Sequence, residues 1–150
     1  MSIITCDTLI EGHRRDDVFA WLADPAHHEV LVRAGFPAVV TEAAGRFQIP
    51  FPFPGQGIKA TYAFKAADDT HGGRRVLVDL DGRRSKGAMH WSMRTMKPST
   101  NTLVTLHADY SSGRVIGAIL DIYVIRGVLE AGMKEMLAEL NRQLGVAASG

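Results

Sequence analysis

The run IKATYAFKA, residues 58–66, puts Ile58, Ala60, Tyr62 and Phe64 on one phase and Lys59 and Lys65 on the other. An apolar period of two is the pattern of a β-strand with one dry and one wet face. The alternation returns along the chain. Val76, Val78 and Leu80 form a second row, Met89, Trp91 and Met93 a third, and Val104, Leu106, Ala108 and Tyr110 a fourth, with His107 and Asp109 on the polar phase. Successive strands of this kind make an antiparallel sheet that is dry on one side.

Working outward, the pattern predicts seven strands: Ile3–Ile10, Ala38–Ala43, Arg46–Phe51, Ile58–Ala66, Arg75–Asp81, Ala88–Met96 and Thr102–Tyr110. The connections AAG, PGQG, DDTHGG, DGRRSKG and KPSTN carry turn chemistry. After the first strand a helix is predicted over Arg14–Ala23, with Asp16 and Asp17 in its first turn, where carboxylates complement the helix dipole. Asp24-Pro25 breaks it, and a short second helix covers Ala26–Arg33, ended by Gly35-Phe36-Pro37. After Ser112-Gly113 the period turns helical to Leu144, with Gly145 as a stop signal. That last helix is the only element long enough to cover the dry face.

The chain has 150 residues, one domain by length, with 46% hydrophobic and 22% charged residues, as in an ordinary globular protein. A net charge of +1 supplies no field that would gather nucleic acid or an anionic membrane, so neither is expected as a partner. The doublets Arg74-Arg75 and Arg83-Arg84 read as solvated strand ends, about 25–30 Å apart at ~3.3 Å per residue, and not as one phosphate patch. Cys6 is the only cysteine, which excludes an intrachain disulfide and a cysteine-based metal site. The first residues, MSIITCDTLIEG, have no signal-peptide pattern, and the apolar run Val115–Leu129 is broken by Asp121 and Arg126, so no membrane span is expected. The expected location is a reducing cytoplasm.

The six histidines show no ligand spacing such as HExxH. His27 and His28 diverge by about 100° on a helix, His13 and His71 fall in turns, and His90 and His107 share the polar phase of neighbouring strands. No metal site is expected. GxSxG and glycine-rich phosphate loops are absent, and Cys6 has no evident base beside it. No cofactor and no catalytic residue are assigned.

The order of elements, together with DDVFAWLADPAHHEVL after the first strand, resembles the helix-grip fold of the START-like, or SRPBCC, superfamily. Within it, VVTEAAGRFQI, GIKATYAFKAADD and SSGRVIGAIL look like the accessory proteins of carbon monoxide dehydrogenase, with polyketide cyclase-like members next. The resemblance implies an α+β fold: a seven-stranded curved antiparallel sheet around a long C-terminal helix, with two short helices after the first strand. It also implies an apolar cavity between sheet and helix.

Tyr62, Phe64, Met89, Trp91 and Met93 would form the wall of that cavity from the sheet, with Leu106 and Tyr110 beside them. Leu129 and Met133 would close it from the helix. Methionines and aromatics suit a pocket of irregular shape. The same rows also suit a filled core, and periodicity does not separate the two. In RFQIPFPFPGQG, residues 46–57, Phe51 and Phe53 continue the apolar row onto a proline-stiffened segment. It reads either as a flap gating the cavity or as an edge guarded by prolines.

Arg126 lies within the stripe Ile122, Leu129, Met133, Met136 and Leu140, opposite Lys134, Glu135 and Arg142. It reads as an anchor for an anionic or carbonyl-bearing head, or else as a pair with Glu130 or a snorkelling side chain. The leading expectation is a carrier or accessory protein for a hydrophobic small molecule that is lipid-, quinone- or polyketide-like. The alternative is a polyketide cyclase or dehydratase using the same cavity. The resemblance also leaves room for a partner enzyme or a homodimer.

Overall fold

The computed structural model describes residues 2–50, 59–68, 74–82, 85–97, 100–112 and 126–149. Its elements run β1 (Ser2–Ile10), α1 (Arg15–Leu22), α2 (His27–Gly35), β2 (Val40–Ala43), β3 (Arg46–Pro50), β4 (Lys59–Asp68), β5 (Arg75–Gly82), β6 (Ser85–Thr95), β7 (Thr102–Ser112) and α3 (Arg126–Ser149). The strands form one sheet in the order β1-β7-β6-β5-β4-β3-β2. Every pairing is antiparallel. This is the helix-grip α+β fold: the chain leaves β1 at one edge, crosses through α1 and α2 to the other edge, and meanders back to β1.

The four apolar rows face inward. Tyr62, Val78, Trp91 and Leu106 are buried, as are Ile4, Cys6 and Ile10 of β1. From α3 the stripe Leu129, Met133, Met136, Leu140 and Leu144 covers them, each side chain adding roughly 1.5–3 kcal/mol over its exposed state. Lys134, Glu135 and Arg142 lie on its exposed side, as the pattern predicts.

In the β2–β3 turn Gly45 has φ +77°, and a β-carbon there would come within 2.9 Å of Pro25 and 3.0 Å of Phe64. Its carbonyl accepts the Phe64 amide at 2.7 Å. Beside that bond the β4–β5 register shifts between Phe64 and Ala66. A bulge there raises the local twist and turns the end of β4.

Several boundaries differ from the predicted ones. Gly145 does not stop α3, which continues to Ser149. Buried Leu144 and the bond from His13 Nε2–H to the Leu144 carbonyl (2.8 Å) hold that turn, outweighing a glycine cost of about 1 kcal/mol. β6 begins at Ser85, three residues before the predicted Ala88, and β2 begins at Val40 in place of Ala38. Arg74 is not merely a solvated strand end: it donates to Asp16 at 3.0 Å and lies 5.8 Å over the Phe19 ring, tying α1 to the start of β5. Arg75 pairs with Asp68 at 3.0 Å. Arg83, Arg84, Ile122, Phe51, Phe53 and the rest of PFPFPGQG lie outside the described residues.

Candidate functional site

Strand alternation places Tyr62 of β4 and Trp91 of β6 on the concave face, and the curl of the sheet brings them together across β5. Trp91 Nε1–H donates to Tyr62 Oη at 3.0 Å. The His28 ring reaches the same hydroxyl from α2, with Nδ1 at 2.7 Å. Its other nitrogen, Nε2, stands 2.8 Å from the Leu22 carbonyl.

The protons in this chain can be assigned from donor chemistry alone. A carbonyl only accepts, so His28 Nε2 carries hydrogen; in a neutral imidazole Nδ1 then accepts, and Tyr62 must donate to it. An indole only donates, so Trp91 fills a lone pair of the same phenol oxygen. Three bonds therefore point one way, from Trp91 through Tyr62 and His28 to Leu22, and each polarises the next. Burial pushes the His28 pKa down to about 4 and the Tyr62 phenol up, so both are neutral near pH 7. Phe64 presents its ring to His28 edge-on, at 5.2 Å between centroids.

His28 is not among the residues that the strand pattern and the resemblance assign to the site. The missed signal is the stripe His28, Leu31, Val32 and Gly35 at i, i+3, i+4 and i+7 of α2. That spacing puts His28 on the inward face. His27 diverges as expected, stacking on Trp21 with ring centroids 4.2 Å apart.

The other expected residues gather around this chain. Tyr62, Trp91, Leu106 and Met133 are 0% exposed, and Met89, Met93, Tyr110 and Leu129 are buried with them in one apolar cluster. Phe64 is half-buried against that cluster. Four methionines, Met89, Met93, Met133 and Met136, meet between sheet and helix. Arg126 is half-buried at the first described residue of α3. Glu130, its expected partner, instead pairs with Lys134 at 3.4 Å. A depression of about 250 Å³ lies elsewhere, lined by Arg14, Arg15, Asp16, Thr95 and Thr100, and its charged wall differs from the apolar interior. His90 and His107 stack on the outer face with ring centroids 4.8 Å apart.

No protein-family model matches the sequence, and no curated protein matches it. Solved structures do match in shape. Norcoclaurine synthase from Thalictrum flavum, in complex with dopamine and hydroxybenzaldehyde, superposes with a TM-score of 0.62 at 13% identity, over 95% of this chain and 86% of that one. A conserved protein from Geobacillus kaustophilus gives 0.60 at 11% identity over 97% of both chains. A protein from Deinococcus radiodurans gives 0.59 at 14% identity, over 97% of this chain and 99% of that one. These likenesses show the helix-grip fold.

Proposed function

We propose that the chain acts as a single domain that binds a small, largely apolar molecule between the concave sheet and α3, as a carrier or accessory protein. The observation that carries this reading is the directed chain Trp91–Tyr62–His28 inside a methionine-rich interior. A core needing only to pack gains little from three buried polar groups, each costly unless bonded. Tyr62 keeps one acceptor position after Trp91 has taken the other. It suits a ligand whose head donates a hydrogen bond, such as a hydroxyl or phenol. Methionine side chains repack around varied shapes, which suits a lipid-, quinone- or polyketide-like body. Arg126, half-buried at the near end of α3, is proposed as a second polar contact.

Norcoclaurine synthase holds dopamine and hydroxybenzaldehyde on the same fold, which supports a small-molecule role. Native mass spectrometry of the purified protein tests it: the expected result is a co-purified apolar molecule, or uptake of a quinone, a fatty acid or a hydroxybenzaldehyde. A protein that carries none and takes up none of these rejects the reading.

A second reading, an enzyme of the polyketide cyclase or dehydratase type, is favoured by one observation. His28 and Tyr62 form an inward acid–base pair at 2.7 Å. On that reading Tyr62→Phe abolishes turnover while ligand uptake persists. A role like that of the accessory proteins of carbon monoxide dehydrogenase rests on the sequence pattern, and it predicts a stable complex with a partner enzyme.

A further inference from the structure

His90 of β6 and His107 of β7 are direct cross-strand partners on the convex face, away from the interior site. Their rings stack with centroids 4.8 Å apart and planes inclined by 28°. Thr5 of β1, the partner of His107 on its other side, places Oγ1 3.0 Å from His107 Nδ1. Both imidazoles are half-buried. We propose that His90 and His107 form an open two-histidine site for a divalent late transition-metal ion, with Thr5 as the outer support of His107.

Directly opposed residues have Cβ atoms about 4.5–5.5 Å apart. Metal–imidazole bonds are ~2.0–2.1 Å long, so two rings turned about Cβ–Cγ from this stack can bring one nitrogen each to a shared ion. Ligation through His107 Nε2 fixes the hydrogen on Nδ1, and Thr5 Oγ1 is in place to accept it. That is the outer hydrogen bond a ligating histidine needs. Each ring must also be neutral to ligate. Burial, the neighbouring His107 and Arg75 all lower the His90 pKa, which favours the neutral form.

The surroundings leave room and do not oppose a cation. Ala88 and Ser92 flank His90 along β6, and Thr105 and Asp109 flank His107 along β7. Arg75 is engaged by Asp68, while Asp7, Asp79 and Asp109 occupy outward positions nearby. Among the described residues no group of three His, Cys, Asp or Glu is placed to share an ion. The site thus has two protein ligands, with water or an added ligand in the remaining positions. Imidazole donors select copper, nickel and zinc over magnesium or calcium, with Cu²⁺ tightest.

Calorimetric titration of untagged protein with Cu²⁺ and Ni²⁺ tests the proposal. One ion per chain is expected, lost in His90→Gln and in His107→Gln, and weakened about tenfold or more in Thr5→Val. Paramagnetic broadening by Ni²⁺ in the wild-type protein is expected at the His90 and His107 rings and the adjacent residues of β6 and β7, a readout independent of the variants' folding. Absence of binding, full binding in the doubly substituted protein, or broadening centred elsewhere would each overturn it.

Discussion

The phenyl ring of Phe36 fills the space where a β-carbon on Gly132 would stand: an ideal Cβ there falls 2.2 Å from Phe36 Cζ. Gly35, the last residue of α2, lies equally close, its own ideal Cβ meeting the Gly132 carbonyl at 2.5 Å. Two glycines thus let the end of α2 cross α3 almost backbone to backbone, and this contact fixes how α2 carries His28 to Tyr62. Gly132→Ala gains up to about 1 kcal/mol of helix propensity but drives a methyl group into the ring. The expected net effect in urea denaturation is destabilisation by about 1–3 kcal/mol, partly recovered by adding Phe36→Leu. A more stable single variant would show that the crossing relaxes freely.

Gly145→Ala should do the opposite. It lies within α3, and nothing stands within 4 Å of the added methyl. A gain of about 0.5–1 kcal/mol is expected, read as a raised denaturation midpoint with an unchanged slope. Loss of stability would mean that the last turn depends on a conformation only glycine adopts.

Tyr62→Phe removes one oxygen and strands two partners, Trp91 Nε1–H and His28 Nδ1. An unsatisfied buried group costs about 1–3 kcal/mol, so the variant should lose roughly 2–4 kcal/mol. Trp91→Phe leaves the Tyr62–His28 bond in place and should cost less through hydrogen bonding. Equal stability of Tyr62→Phe and wild type would reject the chain as a structural element.

His28 gives stability a pH dependence whose sign follows from its neutral burial. Its folded pKa is about 4, against ~6.5 in an unfolded chain. Above pH 6.5 neither state is protonated there. As pH falls towards 4 the unfolded state gains a proton that the native state refuses, and stability falls by about 3 kcal/mol in total. Below about 4 both states are protonated and the His28 contribution levels off. Denaturation of wild type and His28→Gln across pH 4–7 should differ in slope within this window. Parallel curves would place the acid sensitivity in another group.

Arg126→Met retains length and apolar bulk while removing the charge. If Arg126 grips a polar head, the variant should fold normally and lose about 1.5–3 kcal/mol of affinity for a carboxylate-headed ligand such as a fatty acid. Unchanged affinity would reject the anchor, and a loss of folding would assign Arg126 to a buried structural contact.

The strand rows were legible because a half-buried sheet repeats every two residues, and Tyr62, Val78, Trp91 and Leu106 all lie where that period puts them. The helix stripe was legible for the same reason at period 3.6. The bond between Trp91 and Tyr62 was not, because the two residues sit on strands separated by β5 and meet only once the sheet curls. Nor could the Phe36–Gly132 contact be read from residues 96 positions apart. His28 was within reach, since its helical spacing marked it as inward before any ligand was considered. Gly145 misled because local propensity favoured a stop, whereas Leu144 is held by tertiary burial.

The place of β1 at the sheet edge, with β7 as its neighbour, also sets an order of events during synthesis. Ser2 pairs with Tyr110 and Ile10 with Thr102, so the strand made early waits about a hundred residues for its ladder. The β2-to-β7 meander can zip up hairpin by hairpin as it emerges, but the register with β1 requires closing the longest loop in the sheet, a slow step. α3 comes later still. Throughout that interval Ile4, Cys6 and Ile10 have no cover, and a nascent chain stalled before residue 102 would expose them to any binder of unpaired apolar strands.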